Sequence, residues 1–334
     1  MADLARLAGV HISTVSRALA GSRLIAPSQR ERILSLARER GYVLNSAASN
    51  LRLQRTQTLS VVIPLHHEAG QPLSDPFFAT MLGNLADEIT QRGYGMFLKK
   101  VLPPGKDWLQ QLIKSHRADG TIVIGQSTEH GAIEAAAKSY HPLVVWGGHL
   151  QQQSYCTVGS DNVGGARAAV EHLIQGGRKR ILFMGDSTIP EIGLRHDGYR
   201  LALAQASRGA VEDLQVRAHM TADTAYEAML AYIREGGKFD AVFAATDVIA
   251  MSAIRAIVAS GLSVPKDVAV VGFDDIPWSA YTNPPLTTVR QDLQRGAKIL
   301  VDLVLRRIEG EDTPSATMPA ELIIRESSGT ARRR

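Results

Sequence analysis

Cysteine is nearly absent from this chain. Cys156 is the single one among 334 residues, which excludes an internal disulfide and any cysteine-rich metal site. A lone residue of this kind is expected to be a small buried hydrophobe. Long apolar runs are missing as well, and none approaches the roughly 18–20 residues needed to span a bilayer. The N-terminus shows no basic-then-apolar secretory pattern, so a cytoplasmic protein with no membrane partner is expected. No GxGxxG opens after the first strand, and neither a Walker sequence nor a GxSxG elbow occurs, so the chain does not read as an enzyme. His66 and His67 stand side by side, poor spacing for a metal site, and neither metal nor cofactor is expected. Lysine is missing from residues 1–57, where nine arginines face only Asp3, Glu31 and Glu39. That segment carries +6; with +4 for the whole chain, the remainder sums to −2. A small basic head on a faintly acidic body points to a polyanion partner for the head alone. Arginine without lysine favours phosphate and base contacts over a merely solvated face.

What is present starts with "LARLAGVHISTVSRALAG", Leu4 to Gly21. Leu4, Leu7 and Ala8 form one apolar stripe, Gly9 breaks the first helix, and Val15, Ala18 and Leu19 form a second stripe. A third helix opens at Pro27, a tolerated first position, and runs to about Arg40, with Ile33, Leu34 and Ala37 inward and Gly41 as its stop. Two short helices joined at a glycine, with small polar and basic residues opening the second, make a helix-turn-helix. Its DNA-facing candidates are Ile12, Ser13, Thr14, Ser16 and Arg17. Arg17 can donate two hydrogen bonds to guanine, and Ile12 can pack on a thymine methyl. The plain alternative is an ordinary helical hairpin.

"LNSAASNLRLQRTQT" has too few apolar residues for a core, and reads either as a flexible linker or as a helix formed only with support. From Leu59 onward near-continuous apolar strands alternate with helices: "LSVVIPL", "GMFLKK", "GTIVIG", "PLVVWG", then again "RILFMGD", "DAVFAATD" and "VAVVGFDD". Such strands belong to parallel sheets buried on both faces. Two successive sets predict an α/β body of two similar lobes with a cleft. At the strand ends stand Asp186, Thr246, Asp247, Asp274 and Asp275, where ligands of open α/β sheets bind.

"ARLAGVHISTVSRAL" resembles the N-terminal signature of the lac repressor family of bacterial transcription regulators. "NSAASNL" is similar to its hinge, "LRHDGYRLAL" to its RxxGY effector element, and "VAVVGFDDIPWSAYTNPPLTTVRQD" to its late strand-loop-strand signature. The resemblance implies a helix-turn-helix head over residues 1–44, a hinge over 45–58, and an effector-binding and dimerisation domain of the type I periplasmic-binding-protein fold over 59–330. Within that domain it implies an N-lobe of about 59–159 plus 291–318, and a C-lobe of about 160–290 plus 319–330. The same resemblance implies that paired hinge helices in a homodimer press Leu51 into the minor groove, with Asn45 near the start and Ala47 and Ala48 allowing close approach.

For the lobes it implies a sugar or sugar derivative held by Arg195 and Asp274, with Thr246, Asp247 and Gln291 nearby. Asp75 and Phe77 come from "SDPFF", and Trp146 and Trp278 are candidate stacking faces. The bland alternatives are that Asp161 and Asn162 cap a helix, Asp275 serves a turn, and Trp278 only packs in its loop. The partner expected for a homodimer is near-palindromic double-stranded operator DNA. The rival is a solute-binding protein of the same fold, which leaves the basic head idle. Three departures stand out. His11 replaces the serine that usually caps the recognition helix, Leu44 replaces a proline before the hinge, and Met1 lies so close to the first helix that fraying, or a start further upstream, is expected.

Overall fold

A computed structural model of the chain describes residues 1–19, 22, 24–40, 42, 55–65, 70–102, 105, 107–206 and 212–329. The expected hinge residues Asn45, Ala47, Ala48 and Leu51 lie outside the described residues, as do Leu44, Gly41, His66 and His67. The chain folds as two compact units, Met1–Thr56 and Gln57–Arg334.

The first unit holds α1 (Ala2–Ala8), α2 (Ile12–Leu19) and α3 (Pro27–Glu39). Gly9 ends α1 in the left-handed region (φ 65°), a conformation that costs glycine no Cβ clash. No side chain caps the start of α1. The interior consists of Leu4, Ala5, Ala8, Val15, Ala18, Ile25, Ile33 and Ala37. Two expected core positions differ. Leu7 is 40% exposed and Ala5 takes its place, because α1 must meet both α2 and α3. In α3, Leu36 rather than Leu34 joins Ile33 and Ala37 against the interior.

The second unit runs β1 (Thr58–Pro64), α4 (Pro76–Gln91), β2 (Gly95–Val101), α5 (Trp108–Lys114), β3 (Gly120–Ile124), α6 (His130–Ala137), β4 (Leu143–Trp146) and β5 (Cys156–Ser160). It continues with α7 (Asn162–Gln175), β6 (Ile181–Met184), α8 (Pro190–Ala206), β7 (Leu214–Val216), α9 (Ala222–Arg234), β8 (Ala241–Ala244), α10 (Asp247–Ala259), β9 (Ala269–Asp274) and β10 (Thr287–Arg290). Last come α11 (Leu293–Ile308), β11 (Ala316–Met318) and β12 (Glu321–Ile323).

The strands make two six-stranded sheets of equivalent order, β11-β5-β4-β3-β1-β2 and β12-β10-β9-β8-β6-β7. Every ladder is parallel except β10–β12, which is antiparallel. Alternate residues of the first sheet feed opposite faces. Val61, Ile63, Ile122 and Val144 pack under α4 and α11, whereas Val62, Val123 and Val145 pack under α5 and α6. The second sheet is cored by Phe183, Phe243, Phe273 and Tyr199. Full burial of each such side chain contributes about 1.5–3 kcal/mol. The chain crosses between the sheets after β5, after β10 and after β11, so α11 belongs to the first lobe although it follows most of the second. Cys156 is buried and its thiol meets the Pro314 carbonyl. Among the described residues no helix is long and apolar enough to cross a membrane.

The RxxGY element divides its labour along α8. Tyr199 is fully buried and its hydroxyl donates to the Ile181 carbonyl at 3.0 Å. Gly198 lets α8 lie against α7, since a Cβ there would collide with the Val163 carbonyl oxygen and crowd Ala166. Gly198→Ala is therefore expected to destabilise the body by about 1–3 kcal/mol through overpacking, read as a lower urea midpoint with an unchanged slope.

Candidate functional site

In the head, the second helix presents its first turn outward. Ile12 is 45% exposed, Ser13 and Arg17 are exposed, and Thr14 and Ser16 are half-buried beside Val15. The helix starts at Ile12 because His11 caps it: the Ser13 N–H donates to the imidazole Nδ1 at 3.3 Å, and that nitrogen also lies 2.9 Å from the Ser13 hydroxyl. The imidazole thus stands in for the usual serine oxygen, and the register of Ile12 and Ser13 is set. The cap ties up Ser13 partly, leaving Ile12 and Arg17 as the freest groups on this face.

In the body, a cavity with about 690 Å³ of empty space, part of it continuous with solvent, lies between the lobes. Its walls are the carboxyl ends of both sheets: Pro64 from β1, Gly125 after β3, Trp146 at the end of β4, Thr246 after β8 and Asp274 at the end of β9. Helix starts supply the rest. Asp75 caps α4, accepting from the Phe77 N–H at 3.0 Å, and Pro76 occupies the first helical position. Thr246 caps α10 by accepting from Ile249 N–H at 3.2 Å. Asp75, Phe77, Trp146, Arg195, Thr246, Asp274 and Gln291 all line this one cavity.

Arg195 forms its floor. Its Nε donates to Asn162 Oδ1 at 2.8 Å and Nη1 to the Ala245 carbonyl at 2.6 Å, while Asp274 Oδ1 stands 3.6 Å away. The guanidinium lies over the Phe273 ring, 3.8 Å from its centroid. Asp274 Oδ1 also accepts from Gln291 Nε2 at 2.7 Å. Burial raises the Asp274 carboxyl above the ordinary carboxylate range, against the opposing pull of Arg195 and Gln291. Its backbone has φ 126°, a left-handed-region value that a non-glycine residue holds only under constraint.

Asp247 does not line the cavity. It is fully buried, where it accepts from the Ile276 N–H at 2.9 Å and from the Thr288 hydroxyl, fixing the loop behind Asp274. Asp186 also faces elsewhere, bound to Thr188 and Arg217. Asp275 is a tie rather than a cavity group. Arg325, Arg290 and Ser279 reach it at 2.6, 2.7 and 3.1 Å, and despite the cost of its burial these hydrogen bonds hold its carboxyl below the usual range. Trp278 is 63% exposed and away from the cavity. Asp161 caps α7 through Gly164 N–H at 2.8 Å, and Asn162 orients Arg195.

Three polar cavity residues escaped the sequence reading: Gln71, Ser127 and Glu191. Gln71 lies between β1 and α4 without a motif around it. Glu191 stands four residues before Arg195 on α8, hence on the same helical face, a spacing that was readable. Its carboxylate accepts the Gln126 N–H of the other lobe at 2.9 Å, and burial raises it. Gln126 in turn grips Gly148 at both its N–H and its carbonyl, so the inter-lobe bond is anchored to the loop after β4.

The comparisons with known proteins fall on the same two parts. Residues 1–45 match bacterial regulatory proteins of the lacI family, and residues 170–328 match a periplasmic binding protein-like domain. The HTH-type transcriptional regulator CelR of Thermobifida fusca is 32% identical over 336 residues, 97% of this chain and 96% of that protein. The solved complex of the transcriptional regulator CelR with cellobiose superposes with a TM-score of 0.73 at 31% identity, over 97% of this chain and 98% of that one. A lac repressor dimer bound to operator and the anti-inducer ONPF gives 0.85 at 24% identity over 98% of each chain, a likeness of fold. A capped recognition helix, a two-lobed body and full-length similarity to a regulator converge on one assignment: the chain belongs to the lacI family of bacterial regulatory proteins.

Proposed function

We propose that this chain is a DNA-binding repressor, acting as a homodimer on a near-palindromic operator, whose grip is set by a small carbohydrate seated between its lobes, and that it catalyses no reaction. The observation that carries the reading is the composition of the cavity. The Arg195 guanidinium, the Asp274 carboxylate and the Gln291 amide converge at its floor, with Asp75, Glu191, Phe77 and Trp146 on its walls. Fixed planar acceptors and donors suit vicinal hydroxyls, and aromatic surface suits the C–H face of a sugar ring. Cellobiose in the CelR complex makes β-linked glucosides the first class to try.

Ile12, Ser13, Thr14, Ser16 and Arg17 are the proposed base and phosphate contacts, with Asn45, Ala48 and Leu51 acting from the hinge. A sugar that spans the cavity touches the lobe bearing Arg195 and the lobe bearing Asp75 together. It therefore favours one inter-lobe arrangement over another, and only that difference in affinity can alter DNA binding. Asp247 acts through the Ile276 loop, as a positioning residue for Asp274.

The deciding experiment is a gel shift on the DNA flanking the gene, with cellobiose, maltose and ribose added in turn. Retention of an operator fragment over random duplex, altered by one of these sugars, supports the reading; no preference for any duplex overturns it. Operator affinity is expected to fall steeply with salt as the arginines displace counterions, and a log–log plot without slope would remove the basic head from DNA contact. Leu51→Ala is expected to weaken operator binding at least tenfold while leaving random-duplex binding within about twofold, because a wedge contributes only where a base step can be unstacked. Equal losses on both DNAs would cancel that role. Sugar hydroxyls donate to the ionised form of Asp274. With its carboxyl raised, sugar affinity should decline on acidification well above pH 4, where an ordinary aspartate would still be ionised. Asp274→Asn should flatten that profile and abolish the sugar response while leaving operator affinity within about threefold.

A further inference from the structure

We infer that Gln71 and Asp75 make one end of the cavity a receptor for hydroxyl donors alone, so that the effector is an unphosphorylated sugar whose specificity is set in part by Gln71. This deepens the proposed effector reading and rests on it.

Gln71 is 3% exposed and lines the cavity, yet its Oε1 has no hydrogen-bond partner among the described residues. Its amide nitrogen and main-chain carbonyl are engaged. Nε2 donates to Asp75 Oδ2 at 3.2 Å, and the main-chain carbonyl accepts from Lys100 Nζ at 2.6 Å. Turning the amide over would set its oxygen against the Asp75 carboxylate, so Asp75 fixes which end of the amide is left open. A buried acceptor left open on a cavity wall is satisfied by a donor that arrives with the ligand.

The surroundings disfavour an anion. Asp75, Glu191 and Asp274 line the cavity against the single guanidinium of Arg195, whose Nε and Nη1 already serve Asn162 and Ala245. The N-terminus of α4, the natural place for a phosphate, is occupied by the Asp75 carboxylate that caps it. The Lys100 ammonium is turned to the Gln71 carbonyl and is not on the wall. A phosphate or carboxylate brought to this end meets the Asp75 carboxylate and the open Gln71 Oε1, both acceptors. A hydroxyl can donate to Gln71 Oε1.

The test uses the full chain and titration calorimetry. Cellobiose, maltose and ribose are each titrated beside cellobiose 6′-phosphate, maltose 6′-phosphate and ribose 5-phosphate. The expected result is that the neutral sugar binds and its phosphate binds at least 100-fold more weakly. Gln71→Leu, checked for cooperative melting, should weaken the neutral sugar about 5- to 10-fold, the loss of one hydrogen bond to an uncharged acceptor. In a series of monodeoxy derivatives of that sugar, one should lose the same factor on the native protein and match the parent sugar on the Gln71→Leu variant. A phosphorylated sugar that binds as tightly as its parent overturns the inference without any variant. Unchanged binding by Gln71→Leu overturns it while the effector reading stands. If none of the three sugars binds the native protein, the effector reading falls and this inference with it.

Discussion

The Arg195 guanidinium is the group around which the body is arranged. A charge buried this deeply is tolerated only when it is paired and its donors are met, since an unmatched one costs several kcal/mol. Its partners come from three separate places in the chain: Asn162 at the first turn of α7, the Ala245 carbonyl after β8, and Asp274 at the end of β9. Phe273, the residue before Asp274, lies under the guanidinium plane. Satisfying one side chain thus fixes the relative positions of the helix and two strand ends that make the C-lobe half of the cavity. Burial draws the arginine's own pKa down, and Asp274, Glu191 and Asp247 oppose that pull, so the charge is held by a field of carboxylates rather than by one ion pair.

That arrangement explains why the acidic residues at the strand ends behave so differently. Asp274 faces the cavity, Asp275 turns away to Arg325 and Arg290, and Asp247 braces the following loop from below. All three sit at positions that look alike in sequence, within two residues of the end of an apolar run. What separates them is backbone direction. Both Asp274 and Asp275 have positive φ, and the Asp274 carboxyl lines the cavity while that of Asp275 is turned to Arg325 and Arg290. No periodicity reports a dihedral angle, so the sequence groups Asp247 with the cavity residues and only the loop geometry parts them.

The fold itself was legible where burial is two-sided. The apolar strands β1, β3, β4, β6, β8 and β9 have no solvent face, so composition alone marks them. The short edge strands β7, β11 and β12 span three residues each with partial exposure, and leave no apolar run to read. In the head the stripes were legible but their phase was not, because a three-helix interior is met from two sides and admits Ala5 where a single-sided stripe would choose Leu7. His11 shows the converse: a residue poor by propensity at a cap still serves, because its Nδ1 sits where a serine oxygen would.

The inter-lobe contacts limit how occupancy can be expressed. The lobes are joined by three chain crossings, and Glu191 bridges them directly by accepting the Gln126 N–H. Glu191 is also a wall of the cavity, four residues along α8 from Arg195. A ligand hydroxyl that donates to Glu191 leaves the Gln126 N–H weaker, and one that leaves Glu191 alone keeps the bridge intact. Two sugars of equal affinity can therefore differ in the inter-lobe arrangement they favour, because affinity sums over all contacts while the shift depends only on the contacts that differ between arrangements. Contacts confined to Arg195 and Asp274, which belong to one lobe, do not by themselves separate two inter-lobe arrangements, whereas a contact that competes for Glu191 does.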